Sequence, residues 1–389
     1  MRPLDPAVKA VFRQRRPDPA CWDVVVDAVC SRESSYDADL ALVQAGRAVA
    51  GHADRIAGSL AGPLTGHTAQ AHAFALAGLG DVRALPALRQ MEAHALPFGR
   101  LHAHTLAALP AAELLPVARR MLGQVPVDYH ASTFMLDLLA LWGPAAAPAV
   151  PEVVRILETP YAYDAFRVLG GIGPAAAGTA DRLAAYATGR DPRTRRHHPR
   201  RAAWAHWKVT GDPALALDAC GTAVNSGSGS HGLPFLADLG PLAAAHAQTV
   251  RGLMESPGGW TRVAAAHAYW RITGDPEPVV PVLLAAVDPD WDGQPALPVQ
   301  EAVRRLGDIG TPAVRAAPLL RGILAGGERL THPFTGVRIL ADQAYVRTLT
   351  EALERIAPGA ADPVAPPAPA VRQGPLRRWL RPGDAVRTG

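Results

Sequence analysis

A seven-residue phrase occurs twice, WKVTGDP at Trp207 to Pro213 and WRITGDP at Trp270 to Pro276, with the copies sixty-three residues apart. Glycine can take the left-handed conformation after a helix, aspartate can cap, and proline suits a first helical position. The phrase therefore predicts a hinge between two helices. Aligning weaker echoes by their glycine gives Gly46, Gly80, Gly143, Gly173, Gly211, Gly240, Gly274 and Gly310, with a degenerate member near Leu109. The intervals scatter around the low thirties, one helix pair per unit, which is the mark of an α-solenoid.

Before each hinge comes an Ala-rich helix, as in AHAFALAGLG (Ala71 to Gly80) or EAVRRLGDIG (Glu301 to Gly310); a Leu-rich helix follows it. Apolar residues recur there at three- and four-residue steps, as in Leu319, Leu320, Ile323 and Leu324. That stripe buries one helix face against neighbours. The hinges come in two forms, Gly-Asp (Gly80, Gly211, Gly274) and Gly followed within two residues by Pro (Gly143, Gly173, Gly240, Gly310). In the last of these, Pro318 is expected to open the long helix, with Thr311 capping a short turn before it. Trp207 and Trp270, four residues before their glycines, are expected in the core, where truncation to Ala would cost about 3 to 5 kcal/mol.

Units such as RRLGDIGTPAVRAAPLLRGIL and LLALWGPAAAPAVPEVVRIL resemble bacterial HEAT repeats of the phycobilisome-lyase-like type, over roughly Ser35 to Pro358. The expected fold is all-α, an α-solenoid of stacked HEAT-like helix pairs. Residues 1–34 read as an N-terminal helical cap, 35–357 as the repeats, and 358–389 as a Pro/Ala-rich linker with a basic tail, LRRWLRP, expected to be disordered. The resemblance implies a fold and little about activity, because such repeats serve scaffolds, lyases and DNA-repair proteins alike.

Composition supports helices and excludes several classes. Hydrophobic residues make up 49% and aromatics 6%, which suits closely packed Ala- and Leu-rich helices better than a β-sandwich. The net charge is +4, and Arg supplies nearly all the positive charge, since Lys occurs only at Lys9 and Lys208. Arg-rich chains suit phosphate or carboxylate recognition, but GC-rich codons favour Ala, Arg, Gly and Pro together. Cys21, Cys30 and Cys220 form neither a disulfide framework nor a C-x-x-C site, so a cytoplasmic location is expected. The apolar run around Leu138 to Val154 is broken by Gly143, Pro144, Pro148 and Pro151, which predicts a hinge and no membrane span.

Unusually long connections should fall along one edge of such an array. Four occur: Gly189 to Arg201, Asn225 to Gly232, Asp288 to Pro298 and Gly326 to Gly336. The first packs Arg190, Arg193, Arg195, Arg196, His197, His198, Arg200 and Arg201 into a dozen positions. That density suits phosphate, an acidic protein face or nucleic acid, although charge runs are ordinarily solvated. Trp204, His267 and Phe166 lie seven residues before their glycines and His72 eight, so they should form one ridge. Such a ridge ordinarily packs helices together; the functional alternative is an aromatic-lined groove in which Trp204 and His267 contact a ligand.

No nucleophile elbow, P-loop, dinucleotide fingerprint or paired-His motif occurs, and the His spacings do not suit a metal. The expected cofactors and metals are none. The sequence reads as a non-enzymatic scaffold for an unidentified protein partner. The alternative is a nucleic-acid-binding or DNA-repair protein, such as a HEAT-like glycosylase.

Overall fold

The computed structural model describes residues 4–31, 33, 35–60, 66–90, 100–124, 129–159, 161–189, 198–225 and 231–359. The fold is all-α, and no strand occurs among the described residues. Two N-terminal helices, α1 (Leu4–Arg13) and α2 (Pro19–Cys30), precede nine helix pairs. These are α3 (Tyr36–Val43) and α4 (Ala53–Leu60), α5 (Gly66–Gly78) and α6 (Leu85–Gln90), and α7 (Arg100–Leu106) and α8 (Ala111–Gly123). Next come α9 (Tyr129–Trp142) and α10 (Val150–Ile156), α11 (Ala162–Ile172) and α12 (Ala180–Thr188), and α13 (Pro199–Thr210) and α14 (Ala214–Asn225). Last are α15 (Leu233–Leu239) and α16 (Ala247–Leu253), α17 (Gly259–Thr273) and α18 (Val279–Ala285), and α19 (Val299–Ile309) and α20 (Ala317–Ala325), followed by the long α21 (Arg338–Ile356). Every hinge read from the sequence falls between the two helices of one pair, the degenerate one included.

All eight hinge glycines have positive φ, a region that costs any residue with a Cβ. The two sequence forms correspond to two backbone routes. Gly211 (φ 83°, ψ −9°) and Gly274 (φ 75°, ψ 0°) are left-handed caps whose N–H groups donate to Trp207 O and Trp270 O at 2.7 Å. The following Asp side chains then accept from Ala214 N and Glu277 N, satisfying orphan donors of the next turn. Gly173 (ψ −140°) and Gly240 (ψ −132°) are extended instead, and each opens a 3-10 turn. Proline forbids a compact ψ on the residue before it. Gly310 (ψ −138°) takes the same route with Thr311 in between, so the adjacent ring is not the whole cause. Thr311 makes no capping bond; Gly310 occupies the cap, and Pro318 is the second residue of α20. The apolar run around Leu138 to Val154 is likewise divided among α9, a 3-10 turn over Gly143–Ala149, and α10. One stretch among the described residues, Ser132–Ile156, is apolar enough for a membrane span by composition, but this hinge breaks it.

First helices pack on first helices from α3 through to α21 without a break, whereas contacts between second helices are intermittent. The first-helix layer thus carries the continuous core, with Phe74, Leu136, Phe166, Ala205, Ala266 and Leu306 fully buried along it. Trp207 and Trp270 are only half-buried against this core. Their position beside the hinge leaves one face outward, and the Lys208 ammonium sits 5.0 Å from the Trp207 ring. The cost of truncating either falls below that of a fully enclosed ring.

The first described helices meet the last. The α1 backbone is bonded to the connection after α20: Arg329 N–H donates to Arg13 O (2.8 Å), Arg329 Nε to Val11 O (3.0 Å), and Arg15 N–H to Gly327 O (2.9 Å). Beneath these bonds Arg15 and Arg329 both pair with Asp342 of α21 at 3.0 Å. Further along, Gln44 of the first hinge donates to Thr335 O and accepts from Ile339 N, while His102 of α7 donates to Gly336 O. The N-terminal helices therefore cover α3 and also clasp the final repeat.

Candidate functional sites

The long connections converge in two places. The first lies where α11, α13 and the start of α15 come together. His198 caps α13 with φ +36°, the one positive-φ residue other than glycine among those described. Its ring meets the Tyr163 ring edge-on at 4.8 Å. One turn later the Arg201 guanidinium lies 3.4 Å above the Tyr163 ring and donates to the Tyr163 hydroxyl, with Phe235 5.7 Å away. Tyr163 is 41% exposed despite its size. With Arg200, His231 and Pro234 these residues line an open pocket of about 150 Å³. The pocket gathers two guanidiniums, two imidazoles and a phenol, all able to donate hydrogen bonds. Such a set suits a carboxylate or phosphate, with the aromatic rings holding Arg201 in orientation. Arg190, Arg193, Arg195, Arg196 and His197 lie outside the described residues; His198, Arg200 and Arg201 are brought together here.

The ridge of aromatic and histidine side chains lies inside the first-helix layer. Phe166 and His72 are fully buried, and His267 is buried with no partner for Nε2. Desolvation, reinforced by the charges of Arg305 and Arg271, pushes His267 down to about 3. A neutral, enclosed imidazole packs helices and lines no surface groove. Trp204 is half-buried; its indole N–H donates to Asp238 Oδ2 (2.9 Å) and its ring tilts onto Phe235. It fits because Gly170 of α11 has no side chain: a Cβ there would sit 2.3 Å from the ring. Trp204 thus fixes α11 to α13 and α13 to α15, and supports the pocket from below.

The other two long connections meet at the junction of the first and last helices. Gly293, at φ +97°, brings the connection Asp288 to Pro298 against Leu330 and His332. Residues of both connections, Trp291 and Leu330 among them, line with Arg15 and Tyr345 an open cavity of about 470 Å³. Length marks the two connections in the sequence but does not join them to Arg15 or Tyr345. Arg15 and Asp342 are 327 positions apart, and no local pattern marks Arg15, Arg329 or Asp342 as partners.

Elsewhere the arginine excess is matched by carboxylates one repeat away. Arg83 pairs with Asp54, Arg119 with Glu152, Arg167 with Asp137, Arg182 with Glu158 and Arg355 with Asp308. Neither Cys30 nor Cys220 carries an activated thiol. Burial pushes Cys220 up to about 12 and raises Cys30, whose sulfur lies 3.7 Å from His72 Nε2. Among the described residues no three His, Cys, Asp or Glu side chains are placed to hold a metal. No family model and no curated protein matches the chain.

Proposed function

We propose that the protein is a non-enzymatic scaffold, a solenoid of HEAT-like helix pairs in the cytoplasm, that holds an acidic segment of a partner protein against Tyr163, Arg200, Arg201 and His231. The observation that carries this reading is the basic, aromatic-walled pocket at the foot of the Arg/His stretch. Arg200 and Arg201 in the first turn of α13, with His231 just before α15, present donors to an open pocket there. Surfaces of this kind bind by charge-assisted hydrogen bonds around a fixed ring.

Arg side chains paired to carboxylates along the repeats weigh against a continuous positive channel, so nucleic acid ranks second. Affinity capture from the native host, with and without nuclease, tests the choice. A partner that survives nuclease and is lost from an Arg200→Glu, Arg201→Glu variant supports the reading; loss of all partners on nuclease treatment overturns it. Because the contact is electrostatic, binding should weaken as salt rises from low to physiological concentration.

A further inference from the structure

The junction cavity carries charges of both signs in separate places. At its floor Arg15 and Arg329 share one carboxylate, Asp342, which is 1% exposed. Both guanidiniums line the cavity in a largely desolvated position, with Glu328 beside them. Tyr345 stands beside them, 1% exposed, and its hydroxyl has no hydrogen-bond partner. Burial raises that phenol above its ordinary value, so it keeps its proton and is a donor awaiting an acceptor. At the mouth, Asp290 and Asp292 are exposed and pair with no cation among the described residues. Between floor and mouth lies Trp291, edge-on to Tyr345 at 4.9 Å and fixed by its indole N–H to Gln294 O (2.9 Å).

An unpartnered buried hydroxyl is costly, and an acceptor in the cavity beside two guanidiniums relieves that cost. The two carboxylates opposite would repel a simple dianion and attract an ammonium. We propose that the cavity binds a small zwitterion of the α-amino-acid class. Its carboxylate meets Arg15, Arg329 and the Tyr345 hydroxyl, its ammonium meets Asp290 and Asp292, and its side chain lies along Trp291. The volume of about 470 Å³ accommodates such a ligand. The site is separate from the pocket at Tyr163 and does not depend on what that pocket holds.

Calorimetric titration of the full chain with each of the twenty L-amino acids tests the proposal, with phenethylamine and 3-phenylpropionate as single-charge counterparts of L-phenylalanine. At least one amino acid is expected to bind saturably. Each single-charge compound should then bind about tenfold or more weaker than L-phenylalanine or not at all. Absence of binding by all twenty overturns the proposal. Equal binding of 3-phenylpropionate and L-phenylalanine also overturns it, because only the anionic pole would then be read.

Two variants leave the Arg15, Arg329 and Asp342 cluster intact. Tyr345→Phe should raise the melting temperature of the free protein, since it removes only an unpartnered hydroxyl, and should weaken amino-acid binding about tenfold. Asp290→Asn with Asp292→Asn should weaken the amino acid and leave 3-phenylpropionate unchanged. Native affinity in either variant overturns the assignment.

Discussion

At the hinges, each helix end is closed by groups a few residues away: a glycine with positive φ, an Asp accepting from the next turn, or a proline opening a 3-10 turn. At the junction of the first and last helices, helix α1 is held by groups more than 300 residues distant, through guanidiniums, one buried carboxylate and backbone bonds. The first kind of contact forms as soon as the local chain folds and can be repeated nine times. The second exists only when all the units are in place, so it reports on the global state of the molecule. Closing this junction with polar groups also explains why a mixed-charge cavity lies there, since polar groups must meet in fixed geometry and leave space that apolar side chains would fill.

Substitutions that remove one side of this contrast should differ in size and in kind. Asp342→Ala leaves two guanidiniums without their shared carboxylate and is expected to cost about 3–5 kcal/mol in urea unfolding, if unfolding remains two-state. Small-angle scattering should show a larger radius of gyration as the ends separate. An unchanged radius would mean that backbone bonds alone keep the ends together. Within the hinges, Gly240→Ala is expected to cost about 1–3 kcal/mol, because the extended positive-φ conformation is close to a glycine-only region. Gly211→Asn should cost less, since its left-handed cap admits Asn. Equal costs would erase the distinction between the two routes.

Acid should act on the packed layer. His102 is pushed down to about 4, chiefly by burial against the bond it donates to Gly336 O, and His267 to about 3. Both are neutral in the folded state and take up protons more readily when unfolded. Their contribution is therefore fully present above about pH 6.5 and is lost as pH falls toward 4 and 3, by about 1.4 kcal/mol per pH unit for each. Chemical unfolding between pH 7 and 4.5 checks this, and His102→Gln should flatten the slope. Smallest of all, Arg167→Gln, which breaks the pairing with Asp137 in the preceding helix pair, should change stability by about 1 kcal/mol or less. A larger loss would show that the inter-repeat ion pairs act as one network.

Much of the fold was legible because its punctuation is local. A recurring glycine, in most units with Asp or Pro within two residues, marks a helix end locally, so Gly46 to Gly310 could be read as hinges and the helices placed between them. The pocket at Tyr163 was half legible: His198, Arg200 and Arg201 stand out by density, but Tyr163, His231 and Phe235 carry no signal until α11, α13 and α15 pack. Spacing alone put His267 and Trp204 on one ridge, and it could not tell which way the ridge faced, because a helical period fixes relative angle and leaves absolute orientation to the neighbours. The same limit applies to Trp207, whose distance from Gly211 suggested enclosure and whose outer face is in fact open.

What the sequence by itself determined is the all-α class, the unit length and the conformation of each hinge, since these follow from interactions within a few residues. Tertiary structure decided that the first helices meet the last, that Arg15 and Arg329 share Asp342, and that the long connections converge in pairs. The contacts of Arg15 join residues more than 300 positions apart. No local pattern encodes them, and they become fixed only when the whole first-helix layer has packed.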